Sequence, residues 1–309
     1  MSLLEKITRK LIGHNQSLIQ EKEFDLLKNT IQELKVLQAQ ALIEKNRRKD
    51  IENFREVEFK VFSQWGDDGI IQFLINKINI SSKIFVEFGV QDYTESNTRF
   101  LLINNNWKGV VMDGSGEFID FIKNDWIYWK YDLNARQAFV TAENINNLLE
   151  EENITGEIGL YNVDVDGNDY WIWQATTVIN PIIVVSEYQS LFGCERSITI
   201  PYEADFVRQK AHYSHLYYGV SLQALCDLAE EKGYAFVGCN SGGNNAYFVR
   251  KDKLETLKAL TAKEGFVLAH FRESRHRDGR LSFASGADRR KLISGLPVFN
   301  TRTKQIEML

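Results

Sequence analysis

Apolar positions change their rhythm once along the chain. Before about residue 55, Leu27, Ile31, Leu34 and Ala41 recur at steps of three and four, with Gln38 in one seam position and Gln, Glu, Lys and Asn on the flanks. That is the period of a helix, and of a short coiled coil. The segment has no proline and a single glycine, Gly13. From about Phe59 onward, short apolar runs alternate with amphipathic stretches.

The second pattern predicts strands at 84–88, 109–112, 126–130, 158–165, 182–186, 234–238 and 246–250, with helices at 94–104, 117–123, 141–152, 170–175 and 221–232. The run Ile182-Ile183-Val184-Val185 has no polar alternation, as expected of a strand buried on both faces. Strands alternating with helices imply a doubly wound, mostly parallel α/β sheet. The last two strands are joined by Cys239-Asn240-Ser241-Gly242-Gly243-Asn244-Asn245, a turn that makes the final strand antiparallel. The expected organisation is an N-terminal helical segment, 1–55, and an α/β domain, 56–309. Within the domain an aromatic, irregular insertion spans 188–219, and the C-terminal tail is basic.

Composition narrows the class. The chain has 309 residues and is 44% hydrophobic, enough for one large domain and an appendage. A net charge of −5 argues against a nucleic-acid partner, because phosphate contacts need a basic surface. Cys194, Cys226 and Cys239 match neither a CxxC nor a zinc spacing, and read as reduced thiols. Met1-Ser2-Leu3-Leu4-Glu5-Lys6 meets charge at once, unlike a secretory leader. No apolar run approaches the roughly 20 residues of a membrane span. A cytoplasmic protein is expected. The N-terminal segment admits three roles: a dimerising coiled coil, a peripheral membrane anchor, or a helix packed on its own domain. The anchor would be built on Leu3, Leu4, Ile7, Leu11 and Ile12 with Lys6, Arg9 and Lys10.

In open α/β sheets, ligands bind beyond the carboxyl ends of the strands. The first strand runs out through Glu87-Phe88-Gly89-Val90-Gln91, where Gly89 lets backbone approach a ligand and Glu87 can accept from an ammonium or hydroxyl. The second ends on Asp113, at the spacing of an acid that takes a ribose diol. Asp132, closing the expected third strand, would face an adenine amine. The glycine motif is thin: Gln91 stands where a second glycine would be expected. A dinucleotide oxidoreductase is disfavoured, since GxGxxG is missing. The densest polar stretch is Asn162-Val163-Asp164-Val165-Asp166-Gly167-Asn168-Asp169. Alternation along a strand would put Asn162, Asp164 and Asp166 on one face. With Glu187 and Gln189 at the next strand end, Asp166 forms an oxygen set suited to Mg²⁺ or Ca²⁺.

These motifs together resemble the FkbM-like methyltransferases, and most closely a bacterial subgroup associated with surface-polysaccharide genes. The resemblance rests on Phe62-Ser63-Gln64-Trp65-Gly66-Asp67-Asp68-Gly69, Val86-Glu87-Phe88-Gly89, Glu95-Ser96-Asn97-Thr98, Trp107-Lys108-Gly109 and Asp164-Val165-Asp166-Gly167-Asn168-Asp169-Tyr170-Trp171. It continues through His212-Tyr213-Ser214, Asn244-Asn245-Ala246 and Phe271-Arg272-Glu273-Ser274-Arg275, and covers about residues 60–300. It implies a Rossmann-like fold, S-adenosylmethionine, and O-methylation of a hydroxyl, often on a sugar. Glu87, Gly89, Asn97 and Asp113 would then lie along the cofactor, with Asp132 and Asp164 beside them.

Such a reaction needs a proton acceptor. Candidates are His212 and His215 in the insertion, Asp166, or a metal that acidifies the hydroxyl. The tail carries Arg272, Arg275, Arg277, Arg280, Arg289, Arg290 and Lys291. It would recognise the phosphates of a sugar nucleotide or an acidic glycan, or else form a solvated face paired with Glu273 and Asp278. The competing function is a non-catalytic member of the same fold, scaffolded by its N-terminal helix.

Overall fold

The computed structural model describes residues 3–309, with side chains from Glu23 onward apart from Asp25. The leader test at Met1–Lys6 and the anchor between Leu3 and Ile12 fall outside the described side chains. Among the described residues, no helix is long and apolar enough to cross a membrane.

Seven strands form the main sheet: β1 (Ile84–Phe88), β2 (Lys108–Asp113), β3 (Leu133–Gln137), β4 (Gly156–Val163), β5 (Ile179–Glu187), β7 (Tyr234–Cys239) and β8 (Asn245–Arg250). Their order is β3-β2-β1-β4-β5-β8-β7. β8 runs antiparallel to both β5 and β7, while the first five pair in parallel. This is the doubly wound arrangement expected, a Rossmann-like sheet. The antiparallel strand lies one place in from the edge. β5 shows the two-sided burial its composition predicts: Val184 packs into the hydrophobic cluster on one face, Ile183 and Val185 into that on the other.

Helices α2 (Asp67–Lys77), α3 (Arg99–Asn105), α4 (Gly116–Asn124), α5 (Trp126–Lys130), α6 (Ile145–Glu151), α7 (Asp169–Ala175) and α9 (Leu222–Glu231) surround the sheet. Two predictions fail here. Residues 126–130 are helix α5, capped by the Asp125 side chain accepting from the Ile127 amide, not a strand. The third strand is 133–137, Leu-Asn-Ala-Arg-Gln, an edge strand with only Leu133 and Ala135 buried. Asp132 consequently sits at the amino end of that strand, away from the ligand side. The expected helix from 94 begins only at Arg99, because 94–98 is a loop gripped by Glu87.

The insertion is more ordered than its composition indicates. It contains β6 (Ile198–Thr199) and the short helix α8 (Arg208–Ala211). β6 pairs with β9 (Pro297–Asn300), and β9 with β10 (Gln305–Met308). Leu191, Phe192, Ile198, Leu216 and Tyr217 share a small core with Ile293 and Val298. The insertion and the C-terminal tail are therefore one folding unit.

Helix α1 runs from Leu3 to Asn46. Its C-terminal turns are docked: Val36, Ala39 and Ile43 pack on Phe59, Val61, Phe62, Phe100 and Ile103. Ala39→Glu should bury a charge in that apolar cluster and release the helix. Limited proteolysis is then expected to cleave near Arg47–Arg48 faster, while the melting of the sheet domain changes by under about 1 kcal/mol, since the contact is peripheral.

Candidate functional site

A cavity of about 640 Å³ opens beyond the carboxyl ends of β1 to β5, where an α/β sheet binds its ligands. Each strand contributes residues to its wall: Gly89 and Gln91 after β1, Asp113 and Gly114 at β2, Ala138 to Val140 after β3, Asp164 to Asp166 after β4, and Glu187 at β5. A smaller chamber of about 120 Å³ shares Gly89, Gln91 and Asp164 and adds Glu87, Glu95 and Asn97.

Glu87 is buried at 3% exposure and is answered internally. Its carboxylate accepts from Ser96 Oγ, the Asn97 amide, the Thr98 amide and Oγ1, and Asn162 Nδ2. Burial pushes its pKa up and these bonds pull it down. Glu87 thus shapes the 94–98 loop. It holds Asn97 in place, whose Nδ2 donates to Asn162 Oδ1 at 3.1 Å.

Asp113 keeps capacity to spare. Oδ2 accepts from the Gln91 amide and Oδ1 from the Ser115 amide, each at 2.8 Å. Each oxygen retains a lone pair toward the cavity. Gln91 sits at φ +49°, a left-handed conformation that glycine adopts without strain. The backbone there has the shape of a glycine loop although the residue is not glycine. Gly89, at φ +67°, lies so close to β4 that a Cβ would run into the Asp164 carbonyl.

Asp164, Asp169 and Glu187 each place a carboxylate oxygen within 4.8 Å of the others. Asp169, the first residue of α7, accepts from the Val165 and Gly167 amides. Its pKa is still pushed up to about 7, mainly by burial. Glu187 Oε2 is buried without a hydrogen-bond partner. Burial first, and then the neighbouring acids, drives Asp164 and Glu187 well above the carboxylate range. A cation between them would relieve all three.

Asp166 lies outside this oxygen cluster, although its charge adds to the upward push on all three. It is left-handed, at φ +55°, and its Oδ1 meets Arg208 Nη1 at 2.9 Å. Arg208 also donates from Nη2 to Glu273 at 3.2 Å and from Nε to the His215 carbonyl at 2.7 Å, and its guanidinium lies 4.0 Å from the Tyr218 ring centre. One arginine on α8 therefore ties the insertion to β4 and the tail.

Several predicted site residues are not brought to the cavity. Gln189 turns away: its Nε2 donates to the Leu216 carbonyl and its Oε1 accepts from the Leu191 amide. Asp164 and Asp169, not Asp166 and Gln189, stand with Glu187. Neither His212 nor His215 is among the residues lining either cavity. His212 Nδ1 lies 2.8 Å from Ser214 Oγ, and burial and Arg277 lower its pKa. The basic tail residues do not line the cavity either. Arg280 pairs with Asp278 and Lys291 with Asp288 at the surface, Arg272 donates to the Phe283 carbonyl, and Arg277 covers Tyr213. Arg289 is buried behind Phe271.

Sequence reasoning missed Arg208, Phe139 and an aromatic pair. Trp65 stacks on Phe271 at 5.6 Å with 25° between the planes, and both line the cavity. Trp65 is presented by the turn into α2, which two buried acids fasten. Asp68 Oδ2 gathers the amides of Val61, Phe62 and Ser63, and burial lifts its pKa to about 6. Asp67 Oδ1 accepts from Asn240, Asn245 and Tyr247. The Gly66-Asp67-Asp68 motif is the signal that could have found this turn.

No family model and no curated protein matches the chain. Among solved structures it is similar to the N-terminal domain of EvdMO1, determined in the presence of SAH and D-fucose: 12% identity over 72% of this chain and 94% of that one, TM-score 0.38. It is also similar to a putative caffeoyl-CoA O-methyltransferase from Staphylococcus aureus, with 13% identity over 69% and 99% and a TM-score of 0.40. A third is an S-adenosylmethionine-dependent methyltransferase from Clostridium acetobutylicum, with 12% identity over 59% and 89% and a TM-score of 0.38. At such distances a function has to stand on the site itself.

Gly89→Ala should force β1 and the 164–166 loop apart. The expected result is a folded protein destabilised by about 1–3 kcal/mol in urea unfolding, as for overpacking and strain. Unchanged stability would show that the loop is free to move.

Proposed function

We propose that the chain is an S-adenosylmethionine-dependent O-methyltransferase acting on a sugar hydroxyl of a glycan. The observation that carries this is the charge of the cavity. Asp113, Asp164, Asp166, Glu187 and Glu273 line it with one guanidinium, Arg208, that is already paired. Such a wall suits a cationic ligand and hydroxyl groups, and opposes phosphates. A sulfonium donor and a neutral sugar meet both conditions; a sugar nucleotide meets them less well.

The residues present fit the donor. Asp113 has free lone pairs for a ribose diol, and Met112, Ala138 and Phe139 offer an apolar slot for adenine. The smaller chamber, with Glu95 and Asn97, suits the amino-acid end. Glu187, with its unpartnered oxygen, and Asp164 face where positive charge is welcome. On the other side Trp65 and Phe271 give a flat apolar face for a pyranose, and Gln209 and Glu273 give polar contacts. The acceptor oxygen attacks the methyl carbon in line. When bound, the donor would supply the methyl group and keep the carbon–sulfur electron pair on sulfur, and the hydroxyl proton would pass to Asp166, whose Oδ2 is not engaged by Arg208. The sequence resemblance supports a role in surface-polysaccharide biosynthesis from the cytoplasm.

Asp164, Asp169 and Glu187 also suit a hard divalent ion such as Mg²⁺, which when bound would acidify the acceptor hydroxyl. Isothermal titration should detect S-adenosylmethionine binding. Its affinity should rise with pH above the usual carboxylate range, with proton release, because the cation binds the ionised acids whose pKa burial has raised. S-adenosylhomocysteine, lacking the sulfonium, should show a flatter pH dependence. Absence of binding by either compound, with and without Mg²⁺, overturns the proposal.

Asp166→Asn retains a partner for Arg208 and should lower kcat by about 10²–10⁴-fold, the usual span for a general base, with donor affinity little changed. Replacing both His212 and His215 by alanine should leave most turnover. The reverse pattern would move the base to the insertion.

A further inference from the structure

We infer that α1 joins two copies of this chain in a parallel, in-register coiled coil. The helix has two apolar faces, and the body uses only one of them. Val36, Ala39 and Ile43 dock on the domain. On the free side Phe24, Leu27, Ile31 and Leu34 are 67%, 58%, 46% and 59% exposed, a degree of exposure single-chain proteins rarely repeat along one stripe. With Gln38 and Ala41 they alternate steps of three and four, which is an a/d seam with Phe24, Ile31 and Gln38 at a and Leu27, Leu34 and Ala41 at d. Val36 and Ile43 then fall at f and Ala39 at b, so docking on the body leaves the seam open.

Charge selects the partner and its direction. Glu23 and Leu37 occupy g positions, and Lys28, Lys35 and Leu42 occupy e. In a parallel pair each g residue meets the e residue five places further along the other copy. Glu23 meets Lys28 and Leu37 meets Leu42, an ion pair at the outer end and an apolar pair near the body. An antiparallel pair would set the lysines at e against each other. Gln38 at a seam position meets itself only when the two copies are in register, and a polar a residue fixes register in this way. A second copy covers the a and d positions and pairs Glu23 with Lys28 and Leu37 with Leu42, while Lys35 meets Thr30.

Sedimentation equilibrium of the full chain tests this. The expected mass is twice 35.7 kDa. The double variant Leu27→Glu, Ile31→Glu changes only exposed positions and should sediment as a monomer with an unchanged sheet-domain melting transition. Leu27→Cys and Leu34→Cys, made separately, should each form a disulfide-linked dimer under mild oxidation. An antiparallel pair would cross-link through at most one of them. A wild-type monomer at micromolar concentration, a glutamate variant that stays dimeric, or a monomer that instead co-sediments with anionic vesicles would each overturn the inference.

Discussion

Too many carboxylates lie at one edge of this sheet for all of them to be charged unaided, and the arrangement around them follows from that. Glu87, Asp164, Asp169 and Glu187 lie at or near the carboxyl ends of β1, β4 and β5, and burial raises the pKa of each. The fold treats them in two ways. Glu87 receives five hydrogen-bond donors from the 96–98 loop and Asn162. Bonds to a charged acceptor are worth about 1.5–3 kcal/mol each, so its desolvation is partly offset from within. Asp164 and Glu187 receive too little, and Glu187 keeps an oxygen with no partner. The first kind of acid builds structure. The second leaves a need that a ligand can meet.

The flanking segments are arranged around the same edge. Asp67 and Asp68 fasten the turn that carries Gln64 and Trp65, and they do so with donors from the 61–63 loop and the β7–β8 turn. Arg208 neutralises Asp166 and Glu273 and so anchors the insertion without adding free positive charge to the cavity. The insertion is in turn held by β9, which comes from the end of the chain. Three stretches far apart in sequence thus close over one acidic site.

The sheet was legible in the sequence because its central strands are buried on both faces, and such strands announce themselves as uninterrupted runs, as in Ile182 to Val185. The edge was not. Leu-Asn-Ala-Arg-Gln buries only two side chains, while the neighbouring Trp-Ile-Tyr-Trp looks strand-like by aromatic content and is a helix because Asp125 caps it. The error carried Asp132 with it. At the site, strand-end logic found Gly89, Asp113, Asp164 and Glu187, all of which line the cavity. It failed beyond Val163, where alternation stops applying: the chain leaves the strand and Asp166 turns left-handed toward Arg208. Gln189, one residue past Tyr188, was credited to the site by proximity in sequence. Its side chain is instead consumed by the 189–192 turn and Leu216. Arg208 carried no local signal at all, since its meaning lies in partners 42 and 65 residues away.

An unpartnered buried carboxylate is a cost that packing alone would remove: a glutamine or leucine at position 187 would spare the fold the desolvation of an acid beside other acids. Natural domains keep only about 5–15 kcal/mol of net stability, so such a cost is not trivial. The same edge also holds Asp166 and Gln91 in left-handed backbone that asparagine or glycine would occupy with less strain. Strain, unmet hydrogen bonding and like-charge crowding fall together here, while β1, β2, β4 and β5 beneath pair in regular parallel register. Local violations gathered at one place on an otherwise consistent fold mark a site held ready for something outside the chain. Their sign, an excess of negative charge in a partly dry wall, says that what completes the site is positive.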